Sequence, residues 1–453
     1  MQATVMKFGG TSVADADAIR RLAALVRAER DRTTTIPVVV VSAMAGVTDR
    51  ILALAAAAGE GSDGSIDATV CDLRRRHAEV AAALAPAREG ALLAELEPYF
   101  SAMRAALHAM AILRDTPARS VDAVAAAGEL LSSRLVSVVL EESGLPAAWL
   151  DPRRLVVTDR NHTAAAPLAQ ETRDAVSREL VPCMAAGRVP VTGGFVGATR
   201  EGVTTTLGRG GSDYSASLLG AAIVASEIQI WTDVDGMLTA DPRIVHAPRV
   251  VPHLSFAEAS ELAYFGAKVL HPSTILPAIS KNVPVRILNS RRPEAPGSLI
   301  TADGSGSALP LAAIACKHPV TVIDITSTRM LMAHGFLRRV FEAFERHQTA
   351  VDVVTTSEVS VSMTVDDSRR VADVVSMLRE FAEVQVEPDM AILCAVGDNL
   401  RRDPRIAMRV VTALDGFLLR LVSQAASRRN LTVVLAQSDV AAAMRRLHDE
   451  FFR

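Results

Sequence analysis

The chain has 453 residues, 49% of them hydrophobic and 22% charged, with a formal net charge of −3. That length exceeds what one core supports and implies two or three domains, while the near-neutral charge, with no basic stripe interleaved with aromatics, argues against nucleic acid as a partner. Cys71, Cys183, Cys316 and Cys394 are scattered with no Cys-x-x-Cys pair, which reads as reduced thiols in a cytoplasmic protein.

The first element is a short apolar strand running into KFGGTS at residues 7–12. Lys7 and the glycine turn arrive before an apolar leader could form, so no secretory segment is expected. The apolar run Ile36–Val41 is strand-length and far short of a membrane span; it leads into SAMAGVTD, which carries Ser42 and Thr48. Ala/Leu/Arg-rich segments at 81–113 and 128–142 read as helices, the second holding Glu129 in an otherwise apolar run. Further β-branched strands are expected at 189–191, 228–231 and 283–288. Strands apolar throughout, alternating with helices, indicate a mainly parallel sheet covered on both faces, with ligand loops at the carboxyl ends of its strands. KFGGTS, SAMAGVTD, TGGF and WTDVDG all fall at such ends.

Residues 289–310 are rich in Pro, Gly and Ser, and read as a domain boundary. Beyond them the expected order is strand 320–325, helix 335–347 and a strand pair at 351–356 and 359–365. A second round follows from Met390: helix near 406–414, strands near 418–423 and 431–436, and helix 440–452. Two copies of a βαββαβ-like unit fit this tail.

The stretch TTTLGRGGSD, residues 204–213, carries most of the chemical signal. Its glycines permit a tight turn and close approach to a ligand, Arg209 offers a planar fork for a carboxylate or phosphate, and a helix starting at Ser212–Asp213 would aim its N-terminus at the same spot. A Gly-rich turn alone is weak evidence. A second at 7–12, holding Lys7, makes a phosphoryl-transfer site the better reading, since a lysine there neutralises a transferring phosphoryl group. Each residue also has a plainer reading: Lys7 as a solvated strand-end lysine, Ser42 and Thr48 as helix caps, Glu129 as a partner for Arg134, WTDVDG as a β-turn, Lys268 as a surface lysine, and His271 as structural. No Walker sequence, G-x-G-x-x-G, His-Glu-x-x-His or Gly-x-Ser-x-Gly occurs.

In this order, KFGGTS, SAMAGVTD, GELLSSRL, TLGRGGSDYSA, WTDVDGMLTADPR and FGAKVLHP resemble the aspartate kinases of the amino-acid kinase superfamily. MLMAHGFLRRVFEAFERHQTAVDVVTTSEVSVSMTVD resembles the regulatory ACT domain of the lysine-sensitive subgroup. The resemblance implies an α/β amino-acid kinase fold over 1–290, a mainly parallel sheet sandwiched by helices. Two ferredoxin-like βαββαβ ACT domains would follow over 311–388 and 389–453, with strand exchange between them allowed. It implies ATP-dependent phosphorylation of the L-aspartate side chain to 4-phospho-L-aspartate, with Mg²⁺ as cofactor and no protein metal ligands assigned. The reaction would open lysine, threonine and methionine synthesis, under feedback with lysine as the first effector expected. A homodimer or dimer of dimers joined through the ACT domains is implied too.

The resemblance assigns Lys7, Phe8, Gly9 and Gly10, with Thr11 and Ser12 beside them, and Thr232, Asp233, Arg243 and Lys268 to ATP. It assigns Ser42, Thr48, Glu129, Arg209 and Ser212 to aspartate: Arg209 on the α-carboxylate and Glu129 towards the ammonium. Asp213 would organise Lys7 and substrate. Met330, Gly335, Phe336, Leu337, Asp352, Ser357, Glu358 and Val359 match the effector site. Two departures stand out. Leu238 replaces a tyrosine common after WTDVxG, and Met332–Ala333 replaces a polar His-Ser pair, which points to weaker lysine inhibition.

Overall fold

The computed structural model describes residues 3–33, 35–266, 272–303, 309–327, 334–424 and 427–453. The chain forms two compact units, one of Met1–Met237 with Val269–Gly304, the other of Leu238–Lys268 with Ser305–Arg453.

The first unit holds strands β1 (Ala3–Phe8), β2 (Ile36–Val41), β3 (Ala147–Trp149), β4 (Val189–Gly193), β5 (Val196–Ala198), β6 (Thr204–Thr206) and β7 (Glu227–Thr232). The second contains the short β8 (His253–Ser255), after which β9 (Val285–Asn289) and β10 (Ser298–Thr301) return to the first. The strands of the main sheet follow the order β3-β4-β2-β1-β7-β9-β10, parallel up to β9 and antiparallel between β9 and β10. All six residues of β1, and the VVVV of β2, are buried, as central strands covered by helices must be. β5 and β6 form a separate hairpin.

The helix expected at 81–113 is two helices, Ile66–Leu84 and Glu89–Leu113, separated by a 3₁₀ turn at Pro86–Arg88. Pro86 disfavours the helical conformation at Ala85, which sits at φ −141°, ψ 53°. The apolar stretch Ala118–Glu142 has the length and hydropathy of a membrane span, which the sequence reading did not foresee. It is 89% buried in the fold, as a core helix would be, and is broken into Ala118–Ala125 and Ala127–Glu142.

In the second unit, β11 (Ala313–Thr326), β12 (Val354–Thr356), β13 (Ser360–Val365), β14 (Glu383–Val396), β15 (Leu421–Ser423) and β16 (Asn430–Ala436) make one antiparallel sheet, ordered β12-β13-β11-β14-β16-β15. Two cores lie along it. One gathers Ile323 and Ile325 with helices Phe336–Arg346 and Val371–Leu378; the other gathers Leu311 and Ile314 with Pro404–Ala413 and Val440–Phe452. The division expected at 388/389 falls inside β14, and residues 311–314 pack in the second core rather than the first. Because β11 and β14 are each long enough to cross both cores, the cores interlock instead of following one another.

Candidate active site

Parallel strands put their carboxyl ends on one edge. The loops after β4, β2, β1 and β7 therefore start side by side, at Gly194, Ser42, Gly9 and Asp233. A cavity of about 580 Å³ brings together Lys7, Ser42, Thr48, Glu129, Arg209, Ser212 and Asp213.

Alternation along β1 sends Lys7 and Phe8 to opposite faces. Lys7 lines the cavity, with Nζ 2.7 Å from Asp213 Oδ1 in an ion-pair contact that lacks hydrogen-bond alignment. The Phe8 side chain belongs to the core and not to the cavity lining. Its ring is fully buried and stacked on Trp231, centroids 6.1 Å apart, leaving only its backbone near the rim. Ser12 is also buried, its hydroxyl 2.8 Å from that of Ser290. Gly9 N–H donates to Trp231 O at 3.0 Å. A Cβ at Gly10 would come within 3.1 Å of Ala43 O, so this turn packs as bare backbone.

The helix Gly211–Ala222 starts from Gly210, which has φ 73° and provides no side-chain cap. Ser212 and Asp213 precede the first intrahelical bond, donated by Tyr214 N–H to Gly210 O. Their N–H groups meet the cavity with the helix's positive end. Arg209 is exposed on the loop before them.

Glu129 lies in the first turn of Ala127–Glu142 and is 4% exposed. Burial pushes its carboxyl up to about 8, against hydrogen bonds from Ala43 N–H, its own N–H and the Thr48 side chain. Oε2 is buried and has no partner among the described residues. A buried carboxylate oxygen left open in a ligand-sized cavity is suited to a cation that arrives with the ligand. Close packing holds it there: a Cβ at Gly128 would sit 2.8 Å from Ala43 Cβ and 3.4 Å from Thr48 Oγ1.

The residues expected at the nucleotide are divided between the two units. Thr232 ends β7, with its hydroxyl 3.3 Å from Asp233 Oδ1, and Asp233 is exposed. Arg243 belongs to the second unit, where its Nη2 lies 2.6 Å from Asp241 Oδ2; Leu238, half-buried, pairs with Val250. Lys268 and His271 lie outside the described residues.

Of the effector set, Gly335 takes φ 85° as the N-cap of Phe336–Arg346. The Phe336 ring is buried edge-on against Phe381 at 5.7 Å, so its side chain belongs to the core. Leu337, Ser357, Glu358 and Val359 are exposed. Asp352 is already engaged: Lys317 Nζ lies 2.6 Å from its Oδ1 and 2.7 Å from Asp366 Oδ2, beneath the Tyr264 ring at 5.2 Å. Burial raises the Asp352 carboxyl despite Lys317. Met330, Met332 and Ala333 lie outside the described residues.

Thr163, Phe195 and Thr206 also line the cavity and were not anticipated. Thr163 and Phe195 hold φ of 70° and 63°, conformations the sequence does not announce at non-glycine residues. The signal for Phe195 was its place in TGGF at the end of β4, already noted as a ligand edge.

The chain matches the amino acid kinase family over residues 2–289 and an ACT domain over residues 393–451. It is 35% identical to the lysine-sensitive aspartokinase 3 of Escherichia coli over 457 residues, covering 99% of both chains. Identity with the chloroplastic aspartokinase 3 of Arabidopsis thaliana is 37% over 464 residues, spanning 99% of this chain and 81% of that relative. In three dimensions it is similar to E. coli aspartokinase III in complex with aspartate and ADP (R-state), with 34% identity, a TM-score of 0.87 and full coverage of both chains.

Proposed function

This chain belongs to the aspartokinase family, and from that membership we propose that it transfers the γ-phosphoryl group of ATP to the side-chain carboxylate of L-aspartate, in the cytoplasm, giving 4-phospho-L-aspartate and ADP. The observation that carries the substrate reading is the buried, unpartnered Oε2 of Glu129 in a cavity that also holds Arg209 and Lys7. Glu129 takes the α-ammonium and Arg209 the α-carboxylate, with Ser42, Thr48 and Ser212 completing the cradle.

A carboxylate nucleophile has an ordinary pKa of about 3.9 and is ionised at neutral pH, so the reaction needs no general base. Its oxygen attacks the γ-phosphorus as the bond to the β-phosphate oxygen breaks. The obstacle is repulsion between two anions. Lys7, held by Asp213, offsets charge on the transferring group, and the N–H groups at the start of Gly211–Ala222 add to it. Gly9, Gly10, Thr232, Asp233, Arg243 and Lys268 are assigned to the nucleotide. Among the described residues no cluster of His, Cys, Asp or Glu is arranged for a metal. Mg²⁺ would travel with the ATP phosphates, a mode that needs only one or two carboxylates from the protein.

Lysine is the proposed effector, acting at the ACT sheet, with dimerisation through the same sheet. Lys317 supplies a resident ammonium at Asp352, which supports weak lysine inhibition alongside Met332–Ala333. The test of function is ADP release coupled to L-aspartate with Mg-ATP, with hydroxylamine trapping of the acyl phosphate. Aspartate-dependent ADP release with hydroxamate formation is expected, and their absence, or turnover with another amino acid only, would overturn the reading.

A further inference from the structure

Asp122 is fully buried on helix Ala118–Ala125, between Val121 and Ala125, which line the cavity while Asp122 itself does not. Its two oxygens collect donors from three places. His162 Nδ1 lies at 2.6 Å, Thr163 N–H reaches both oxygens at 3.0 and 3.1 Å, and the Thr206 hydroxyl donates at 2.5 Å. His162 Nδ1 donates to this carboxyl in its Nδ1–H tautomer.

Thr163 is a β-branched residue at φ 70°, a strained conformation for such a side chain. Its carbonyl backs onto the anion loop: a Cβ at Gly208 would lie 3.3 Å from Thr163 O. Thr206 ends β6 and leads into that loop two residues before Gly208. Asp122 thus ties both supports of the loop bearing Arg209 to the helix that precedes Glu129.

We propose that Asp122 is a positioning residue for substrate, which fixes the separation of Glu129 and Arg209 by clamping Thr163 and Thr206. The inference rests on the assignment of this cavity to L-aspartate. The carboxylate offers an acceptor oxygen to each of these groups, whereas an asparagine keeps one such oxygen and turns an N–H₂ towards the remainder. Loss of the clamp lets Thr163 relax out of its strained conformation, and the loop carrying Arg209 shifts with it. Misplacement of a binding group by about 1 Å is enough to cost up to about 10²-fold.

The test is steady-state kinetics of Asp122→Asn beside the wild type. The expected result is an aspartate KM raised about 10-fold or more, with kcat and the ATP KM changed by less than about twofold. Thr163→Gly added to Asp122→Asn should recover most of the lost affinity, because glycine adopts this backbone conformation without the clamp. Unchanged aspartate KM, an equal rise in both KM values, or no recovery by glycine overturns the proposal. If Asp122→Asn fails to fold, Thr206→Val removes one donor at nearly constant shape and should raise the aspartate KM alone, again with recovery by Thr163→Gly; no such split is refuting. A wild type without aspartate turnover defeats the functional reading itself, whereas an active wild type with an indifferent Asp122 defeats only this inference.

Discussion

Binding of aspartate should be linked to the ionisation of Glu129. Burial holds this carboxyl up to about 8, so at pH 8 about half of the molecules carry the charge the ligand's ammonium needs, and at pH 6 about 1% do. If only the ionised form binds, the apparent Kd rises roughly 50-fold between pH 8 and pH 6. At pH 7 each binding event releases about 0.9 proton. Stability runs in a related direction. Between the ordinary value of 4.5 and about 8, the folded protein keeps a proton that the unfolded chain has released. Stability therefore falls as pH rises through that window, and aspartate restores part of the loss. Calorimetric titration of enzyme with L-aspartate, in buffers of different ionisation enthalpy, measures affinity and proton count together. Glu129→Gln should bind aspartate at least about 30-fold more weakly at pH 8, the lower end for losing one partner of a buried charge pair, and should lose the proton release. Equal Kd values at pH 6 and 8 with no proton exchanged would refute the role of Glu129.

Lys7→Ala should lower kcat about 10²-fold or more with little change in the aspartate KM, since it removes a charge needed most in the transition state and leaves Asp213 unpaired. A change confined to KM would make Lys7 a ground-state binding residue. Lys317→Met should tighten lysine inhibition about tenfold, because Asp352 and Asp366 lose their resident ammonium; unchanged or weaker inhibition in a lysine titration would contradict this.

The catalytic edge was legible because an apolar strand followed by a glycine turn marks both the element and the end that bears the loop. Lys7, Ser42, Glu129 and Arg209 come from distant motifs, yet the parallel sheet and its covering helices bring them to one cavity. Strand alternation sends the neighbours Lys7 and Phe8 of KFGGTS to opposite faces, so the Phe8 ring goes to the core. Asp122 left a faint trace, a lone acid in an apolar helical run seven residues before Glu129. Its partners, however, come from 162–163 and 206, and only tertiary contact supplies them. Thr163 left no trace, since its left-handed backbone is imposed by surroundings rather than by a glycine. Most of the tail's elements were read close to their observed positions, although helix Val371–Leu378 was given no position and β11 starts at Ala313 rather than 320. Strand exchange between the tail's two units was allowed for, but the lengths of β11 and β14 that make the interlock were not legible, because they depend on pairing partners remote in sequence.

That interlock makes the first core of the tail a graft within a host. The chain leaves the second core after Cys316 and re-enters it at Ala391, and the neighbouring Lys317 and Ile392 face each other across the sheet. Everything between departs and returns at adjacent points, so a hairpin turn of about two residues could replace it and reconnect the host. A cut at 389 would instead strand Leu311 and Ile314 away from the helices they pack against. The natural seam of this tail is a pair of neighbouring points on one sheet, not a single position along the sequence.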